Sequence, residues 1–359
     1  MQVRTTIHEG PDWAEELRAD WSALVEASPE ATPFQTWEWQ STWWRHFGRG
    51  KRPHIVLIHE GSELVGLMPL VRTKGPWRTL RGMGAGPSDY LHPLARGGYE
   101  QAVAEALVEH VQGVEEVDLI DLHQVREDRA LAAALPTSYG MHQARCLVLD
   151  LPSTYDAFVA SLSKSLRYDV RRMDKPAFAE SGARIRTLES GEIDQGLDAF
   201  YETHRLRWRK RGLPGAFVGG RIQAFHREWA ALAGPKGWIW LSVLEVGDKV
   251  AGTLYAMRLA DTCYFYQAGF DPAHQAISPG TVLVAHTVRR AIEHGVRRFD
   301  FLRGDEPYKR RWRPQHAFSN VRYLRARTPL LGAAGRHWNE AGARVEGRIR
   351  ERLEGKGLR

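Results

Sequence analysis

The chain has 359 residues, of which 43% are hydrophobic and 26% are charged. These proportions are typical of a globular protein, and the length predicts two domains because a single core rarely grows so large. The 50 Lys and Arg residues outnumber the 43 Asp and Glu residues, giving a net charge of +7. This modest charge suits a polyanion, an anionic cofactor or a membrane surface, and it selects none of them.

The two cysteines, Cys146 and Cys263, lie inside apolar runs and have no partner at metal-ligand spacing. We interpret them as buried packing residues in a reducing compartment, and we expect no metal site. The first 30 residues contain no apolar core of signal-peptide length, and no stretch reaches 18 consecutive apolar residues. The sequence therefore predicts a cytoplasmic protein without a membrane span.

The first half of the chain opens with an amphipathic helix over residues 12–27 and an aromatic helix over 33–48. Phe34, Trp37 and Trp44 recur at helical spacing, which fits either a buried core face or the wall of a cleft. Further along, the patterns predict strands within 54–71, 77–83, 117–122 and 141–149, and helices over 99–112 and 126–135. A glycine cluster at 82–86 lacks the spacing and the following helix of a dinucleotide-binding loop, so we reject that function.

A basic helical stretch follows Pro152, which marks a predicted domain boundary. Within residues 163–175, cationic side chains recur every three or four positions, at Lys164, Arg167 and Arg171/Arg172. Such a face is either an ordinary solvated surface or a contact for phosphates. The residues alone leave both open.

The pattern of residues 238–268 predicts a three-stranded meander. The stretch 264–313 begins in the last strand of this meander. After the aromatic strand at 264–266, a polar loop ends at Ser278-Pro279-Gly280. A helix then carries Val284, Val288 and Ile292 on one face, and a short strand covers 298–302. A small-residue loop that opens a helix is either a plain connection or an anion site built from free N–H groups.

An internal repeat relates the two halves. Residues 56–66 resemble residues 242–252, because both have an apolar strand, a glycine turn, an apolar pair and a second glycine five residues after the first. Each half then continues through a glycine-bearing loop, a helix and a strand. This repeated order predicts duplication of one α/β unit.

Five segments carry a resemblance to a known family: the aromatic helix with Phe34, Trp37 and Trp39; Ser88-Asp89-Tyr90; residues 163–172; Ser278-Pro279-Gly280; and residues 299–312. In this order the chain resembles the GNAT acyltransferases, and in particular the tandem-GNAT proteins called CelD/BcsL-like or FemAB-like. The resemblance implies a mixed α/β fold of two GNAT-like units, each a mostly antiparallel mixed sheet flanked by helices. We expect domains at 1–151 and 152–328, with a peripheral helix or tail at 329–359.

The resemblance also implies an activity: transfer from acetyl-CoA or another acyl-CoA to an amine or hydroxyl of a small-molecule or envelope-related acceptor. In GNAT proteins the donor pyrophosphate lies against a helix that follows the fourth strand. That position here makes Gln275, Ser278, Gly280 and Thr281 the donor-binding candidates. The usual Q/R-x-x-G-x-G/A loop is absent, and Pro279 has no N–H to offer.

Candidate catalytic residues follow on the strand and loop after that helix: Asp300, Asp305, Tyr308 and Lys309. An amine acceptor must lose a proton before it attacks a thioester, and a carboxylate or a histidine that titrates near neutrality assists this step. Tyr308 is the candidate to protonate the leaving thiolate, and Lys309 the candidate to steady charge. The alternative is that Asp300, Asp305 and Lys309 form a structural ion-pair network.

Acceptor contacts are expected from Asp89, Tyr90, His204 and Gln267. Two other functions remain open. A FemAB-like enzyme would take its donor from charged tRNA, for which the basic stretch at 164–175 provides a surface. The missing glycine-rich loop also fits a non-catalytic binding protein on the same fold.

Overall fold

The computed structural model describes residues 2–210 and 212–355, which form two compact units. Unit 1 comprises Met1–Arg145 with Phe318–Arg359, and unit 2 comprises Cys146–Ala317. Both have a largely antiparallel mixed sheet flanked by helices, so the predicted fold class is confirmed. The boundaries differ from the expected 151/152 and 328/329 because the strand at 316–326 pairs with unit 1, where Asn320 lies opposite Arg126.

The elements in chain order are β1 Arg4–His8, α1 Trp13–Glu16, α2 Arg18–Ala27, α3 Trp37–Phe47, β2 Lys51–Glu60, β3 Glu63–Thr73, β4 Thr79–Gly82, β5 Leu94–Ala95, α4 Glu100–Gly113, β6 Leu119–Arg126, α5 Ala130–Ala134, β7 Gly140–Asp150, α6 Tyr155–Ser161, α7 Lys164–Val170, α8 Pro176–Glu180, β8 Ala183–Thr187, α9 Ile193–Arg209, α10 Gly220–Ala233, β9 Ile239–Val246, β10 Lys249–Leu259, β11 Thr262–Phe270, α11 Pro279–Glu293, β12 Arg298–Arg303, α12 Pro307–Arg310, β13 His316–Ala326 and α13 Leu331–Gly355. None of the helices described here is both long and apolar enough to cross a membrane.

In unit 1, β1, β2, β3 and β4 are successive antiparallel neighbours, β4 pairs with β6 in parallel, and β6 pairs with β13 antiparallel. Helix α4 covers one face of this sheet with Val103, Leu107 and Val111. The aromatic helix α3 is a core element, because Trp39 is fully buried and its Nε1 donates to Ser88 Oγ at 2.8 Å. Of the two interpretations open from the sequence, the core face fits.

In unit 2, β8, β9, β10 and β11 are successive antiparallel neighbours, and β11 pairs with β12 in parallel. Alternate residues of β10 serve opposite faces. Leu254 joins the core formed with α11, whereas Thr253 bonds Thr203 of α9, with 2.7 Å between the two hydroxyl oxygens. The predicted duplication is confirmed in topology: each unit runs hairpin, strand, helix, strand, and the last two strands are parallel.

The contact between α9 and β11 depends on a glycine. A Cβ placed on Gly269 would lie 2.2 Å from the backbone nitrogen of His204 and 2.5 Å from the carbonyl carbon of Thr203. Only a residue without a side chain allows the helix and the strand to approach so closely.

Unit 1 contains a buried ion pair whose loss we expect to be costly. Asp121 accepts two hydrogen bonds from Arg322, at 2.6 and 2.8 Å, and a third from His123 at 2.9 Å. Burial alone would raise the pKa of Asp121, but the bonds from His123 and Arg322 outweigh it and hold that pKa well below its usual range.

Asp121→Ala should therefore lower the free energy of unfolding by about 3–5 kcal/mol, because it leaves a buried guanidinium without its carboxylate. Urea denaturation followed by circular dichroism measures this loss. Arg205→Ala, which removes an exposed pair with Glu202, is the control and should leave the midpoint essentially unchanged. A loss below about 1 kcal/mol for Asp121→Ala would contradict the assigned contribution of the pair.

Candidate functional site

A gap opens in the sheet of unit 2 where its two parallel strands diverge. β11 and β12 pair only through residues 262–264 and 298–300, although β11 continues to Phe270. The pairing of β11 with β10 skips Tyr266, so β11 contains a β-bulge at this residue. A β-bulge bends the strand that contains it. Beyond residue 264, β11 therefore no longer pairs with β12 in the described part of unit 2, and Arg207 Nη1 donates to the carbonyl of Ala268 at 2.9 Å.

The second strand bends at the same level. The register between β12 and β7 shifts after Asp300, and Leu302 has a left-handed φ of 54°. Asp300 is buried, and its Oδ1 accepts the N–H of Leu302 at 2.8 Å, which stabilises that turn. Parallel strands that separate at their carboxyl ends are a common position for ligands in α/β sheets.

The chain leaves β11 through a helical turn at Pro272–Ile277, and helix α11 then begins at Pro279. Ser278 is left-handed, with φ 53° and ψ 58°, and its carbonyl accepts from Thr281 and Val282 at 3.0 and 3.2 Å. Pro279 has no N–H, and the N–H groups of Thr281 and Val282 bond to Ser278. Among the described residues of this first turn, the N–H of Gly280 is therefore the one without a backbone acceptor. A Cβ on Gly280 would meet nothing within 4 Å, so there is open space beside this residue at the start of the helix.

Cationic side chains from two other elements reach the same turn. Lys210 Nζ donates to Gln275 Oε1 at 3.0 Å, and Arg172 Nη1 donates to the carbonyl of Ala276 at 2.7 Å. Arg167, in contrast, is committed to the carbonyls of Ala160 and Leu162. The basic stretch predicted at 164–175 is thus partly structural, and Arg172 brings positive charge beside the start of α11.

The predicted catalytic residues after β12 lie in a tightly bonded loop. Lys309 is buried, and its Nζ donates to the carbonyls of Arg303 and Gly304 at 2.6 and 3.2 Å and lies 3.0 Å from Glu306 Oε2. Asp305 binds Arg310 through both carboxylate oxygens. Lys309 thus has a structural role through two hydrogen bonds and one ion pair, but its partners are two carbonyls and Glu306 rather than Asp300 and Asp305.

Tyr308 differs from its neighbours in this loop. It is half-buried against the core of unit 2, and its ring centroid lies 6.5 Å from that of Phe265. Phe265 is the first residue of β11 beyond the last pair with β12. Tyr308 therefore lies beside the gap.

Two predicted acceptor residues lie near the diverging end of β11. Gln267 follows the bulge and is half-buried. His204, on α9, is buried between the rings of Phe200 and Phe217, at centroid distances of 5.8 and 4.9 Å. Its Nε2 meets no hydrogen-bond partner in the described part of the chain.

A cavity of about 270 Å³ adjoins His204, between α9, the following loop and α10. Its walls include Tyr201, Pro214 and Phe217, and carboxylates of Asp198 and Glu202 stand at its rim. Burial, with a smaller contribution from the charge of Arg207, lowers the pKa of His204 to about 4. The imidazole is therefore neutral at pH 7, and its ring forms part of the wall of the cavity.

The corresponding gap in unit 1 is filled by the chain itself. β4 and β6 pair through residues 79–81 and 119–121, and beyond them Leu91 donates its N–H to the carbonyl of Gln124 at 3.0 Å. The side chain of Leu91 reaches Gly82, at the end of β4. The segment 88–91 thus occupies the space between the strands.

Asp89 and Tyr90 belong to that filling segment. Asp89 is buried, and its carbonyl accepts from Asn320 Nδ2 at 2.8 Å. Tyr90 is fully buried, 5.9 Å from the ring of Phe34, with the Arg126 guanidinium 5.1 Å from its own ring. Both are core residues of unit 1, whereas the other candidates lie in unit 2.

Three features of the site could not be predicted from the sequence: the bulge at Tyr266, and the positions of Lys210 and Arg172. The bulge contains no glycine and interrupts a continuous aromatic strand, so no signal marked it. Lys210 and Arg172 lie in basic runs of the sequence. Tertiary packing decides which cation of such a run contacts the turn before α11, so the sequence alone does not show it.

With this geometry described, comparison with known families becomes informative. Residues 164–310 match the acetyltransferase (GNAT) domain. The match lies inside unit 2 and includes the gap, α11 and the loop with Tyr308. No curated protein matches the sequence significantly.

Solved structures extend the GNAT likeness over most of the chain, at identities that establish the fold alone. FemX is 12% identical, with a TM-score of 0.63, over 90% of this chain and 98% of that one. A tandem GNAT protein from the clavulanic acid biosynthesis pathway is 13% identical, with a TM-score of 0.52, over 91% and 99%. L-PGS from Bacillus licheniformis is 14% identical, with a TM-score of 0.54, over 90% and 94%.

Lys309→Ala should lower the free energy of unfolding of unit 2 by about 2–4 kcal/mol, because two carbonyls and Glu306 lose their buried donor. The measurement is chemical denaturation followed by tryptophan fluorescence. Arg310→Ala, which removes the solvent-exposed pair with Asp305 from the same short helix, is the comparison and should cost only about 0–1 kcal/mol. Unchanged stability of Lys309→Ala would remove the structural assignment and restore Lys309 as a catalytic candidate.

The depressed pKa of His204 predicts acid sensitivity. The ordinary histidine pKa is 6.5, so between pH 6.5 and about 4 the unfolded chain binds more protons than the folded one, and stability falls as the pH falls. His204→Phe should make this decline shallower, whereas His142→Phe, at an exposed position, should not. Denaturant midpoints at several pH values measure the slope, and an NMR titration midpoint of His204 near 6.5 would contradict its burial as a neutral group.

Proposed function

We propose that unit 2 is an acyl-CoA-dependent N- or O-acyltransferase, with acetyl-CoA as the first donor to test. The observation that carries this proposal is the gap between β11 and β12, with the free N–H of Gly280 at the start of the following helix. The match of residues 164–310 to the GNAT domain supports the same assignment.

The donor has parts that suit this geometry. The arm of coenzyme A contains amide groups, and amides can pair with backbone along the part of β11 that has separated from β12. Its phosphates are anionic, and a helix start with a free N–H and nearby cations favours anions. We assign Gly280, Ser278, Gln275 and Thr281 to this end of the donor and add Lys210 and Arg172.

For the acceptor we propose the cavity beside His204. A neutral imidazole with an unsatisfied nitrogen can accept a proton from an incoming amine or hydroxyl. The aromatic walls of this cavity suit an apolar body, whereas the carboxylates of Glu202 and Asp198 already pair with Arg205 and Arg227. Gln267, on the diverging end of β11, is a further candidate to orient the acceptor.

The chemistry needs few groups. The bound donor supplies a thioester carbonyl as electrophile. A bond forms from the acceptor nitrogen or oxygen to that carbon and the carbon–sulfur bond breaks, while His204 takes the acceptor proton. Tyr308, beside the gap, gives a proton to the departing thiolate. Asp300 contributes by fixing the bend in β12, and Asp305 and Lys309 by holding the loop that carries Tyr308.

A second candidate is transfer from charged tRNA, as in FemAB-like proteins. The similarity to FemX and the exposed cations Lys164, Arg171 and Lys175 favour it. Phosphate contacts of this kind weaken steeply with salt. The finer resemblance to CelD/BcsL-like proteins, and with it an envelope or polysaccharide acceptor, remains part of the proposal.

Gly280→Glu tests the donor site. The added carboxylate would project into open space, so we expect normal folding but at least a tenfold loss of acetyl-CoA affinity through repulsion of the phosphates. Isothermal titration calorimetry measures binding, and circular dichroism checks the fold. Gly220→Glu is a matched control, because Gly220 is the first residue of α10 and a Cβ there also meets nothing within 4 Å.

Equal affinity of Gly280→Glu and Gly220→Glu would contradict the placement of the donor. Absence of binding by the wild type to acetyl-CoA and to longer acyl-CoAs would overturn acyl-CoA dependence. Saturable, salt-sensitive binding of charged tRNA in the same assay would then favour the second candidate.

A further inference from the structure

The cavity proposed for the acceptor contains groups that attract cations, and the protein already pairs each of them with an arginine. Glu202 accepts two hydrogen bonds from Arg205, from Nε at 2.9 Å and from Nη2 at 2.6 Å. Asp198 accepts from Nη2 of Arg227, whose guanidinium also lies 5.8 Å from the centroid of the Tyr201 ring. Two carboxylates and two guanidinium groups give these pairs a net charge of zero.

The other polar side chains of the described wall, apart from His204, bond within the wall. The hydroxyl of Tyr201 donates to the carbonyl of Gln223 at 3.2 Å, and Gln223 Nε2 donates to the carbonyl of Phe217 at 3.0 Å. Pro214 adds apolar surface. In the described part of this wall, neither an ammonium nor a phosphate group therefore meets an uncommitted charge.

Charge balance in the cavity favours an uncharged acceptor. An alkylammonium ion would lose part of its hydration there and gain no ionic partner, which is costly, whereas a hydroxyl needs only a hydrogen bond. Burial and, to a smaller extent, the charge of Arg207 lower the pKa of His204, so positive charge is disfavoured beside this ring.

The proton chemistry of His204 favours the same class of acceptor. An alkylammonium has a pKa of about 10 and must lose a proton before its nitrogen can attack. A histidine with a pKa of about 4 is too weak a base to take that proton. A hydroxyl is neutral from the start and releases its proton only as its oxygen bonds to carbon, so a weak but well-positioned base suffices.

We propose that the acceptor is an uncharged hydroxyl compound with an apolar body, so that unit 2 forms esters rather than amides. This inference rests on the proposed function and narrows it. The hydroxyl oxygen bonds to the thioester carbonyl carbon, and the carbon–sulfur bond breaks. His204 takes the hydroxyl proton, and Tyr308 gives one to the thiolate. Proton exchange with solvent then restores both side chains, and the products are an ester and the free thiol.

Two probes of nearly equal shape test the charge preference: 2-phenylethanol, and 2-phenylethylamine, which is a cation at pH 7. NMR titration of the full-length protein without acyl-CoA measures their binding, and the signal of His204 is assigned with His204→Phe. We expect 2-phenylethanol to bind about tenfold more tightly than the amine and to shift this signal. Equal or tighter binding of the amine, or no binding of either probe, would overturn the inference. Acetyl-CoA binding by the same sample would then leave the proposed function standing.

Arg205→Gln tests the contribution of the ion pair. It leaves the carboxylate of Glu202 free, so the affinity for 2-phenylethylamine should rise about fivefold while that for 2-phenylethanol stays unchanged. Arg186→Gln is the matched control, because it frees another exposed carboxylate, that of Glu192, outside the described wall of the cavity. An unchanged amine affinity in Arg205→Gln, or an equal gain in Arg186→Gln, would contradict the assigned charge balance.

Turnover separates this inference from the proposed function. Release of free thiol from acetyl-CoA should show a higher kcat/KM with 2-phenylethanol than with 2-phenylethylamine, and Arg205→Gln should narrow the difference. Thiol release with the amine alone would overturn ester formation and leave the acyltransferase assignment intact. Absence of binding to every acyl-CoA tested would overturn the proposed function, and ester formation with it, whichever probe the cavity prefers.

Discussion

The structure of unit 2 depends on the interruption of one set of hydrogen bonds. Parallel strands normally pair along their whole common length, but β11 and β12 stop after three residues on each strand. Two local devices separate them: the bulge at Tyr266, and the turn at Leu302 that Asp300 holds. The strand edge left by this separation is the feature on which the proposed donor site depends.

In unit 1, the space between the separating parallel strands is filled by the chain itself. Its parallel strands also separate after a short pairing, but the segment 88–91 enters between them and satisfies Gln124. The glycines before that segment allow this, because Gly84 has a φ of +87° and its carbonyl accepts from Ser88 Oγ at 2.7 Å. One duplicated topology has thus produced a filled gap and an open one, which is why the candidate site belongs to unit 2.

Much of this architecture could be predicted from the sequence. Alternation within 54–71 and 238–268 located the hairpins, and the apolar spacing of Val284, Val288 and Ile292 located α11. The repeat of one hairpin half a chain later predicted the duplication. The pairing of β13 with β6 could not be predicted, because it joins residues about 200 positions apart and no local pattern encodes such a contact.

Site residues were less predictable than elements. The loop after β12 was chosen for its charges, yet Asp305 and Lys309 bond mainly to their own neighbourhood, as closely spaced charges often do. Asp89 and Tyr90 were expected to contact the acceptor, but both are buried in unit 1, where the Asp89 carbonyl and Ser88 Oγ accept hydrogen bonds. His204 is different, because its ring is enclosed by aromatic side chains while one nitrogen remains unsatisfied, and only the tertiary structure reveals this.

The close approach at Gly269 has a consequence for how such a protein can diverge. Because the backbone of α9 rests directly on β11, the helix cannot shift without breaking the sheet contact, and His204 is carried at a fixed height above the strand. The loop from Pro214 to Gly219, on the far side of the cavity, contacts α9 through side chains instead, as where Phe217 packs on Phe200 and His204. Changes of acceptor should therefore accumulate in that loop by substitution and insertion, while the helix and the strand stay constant.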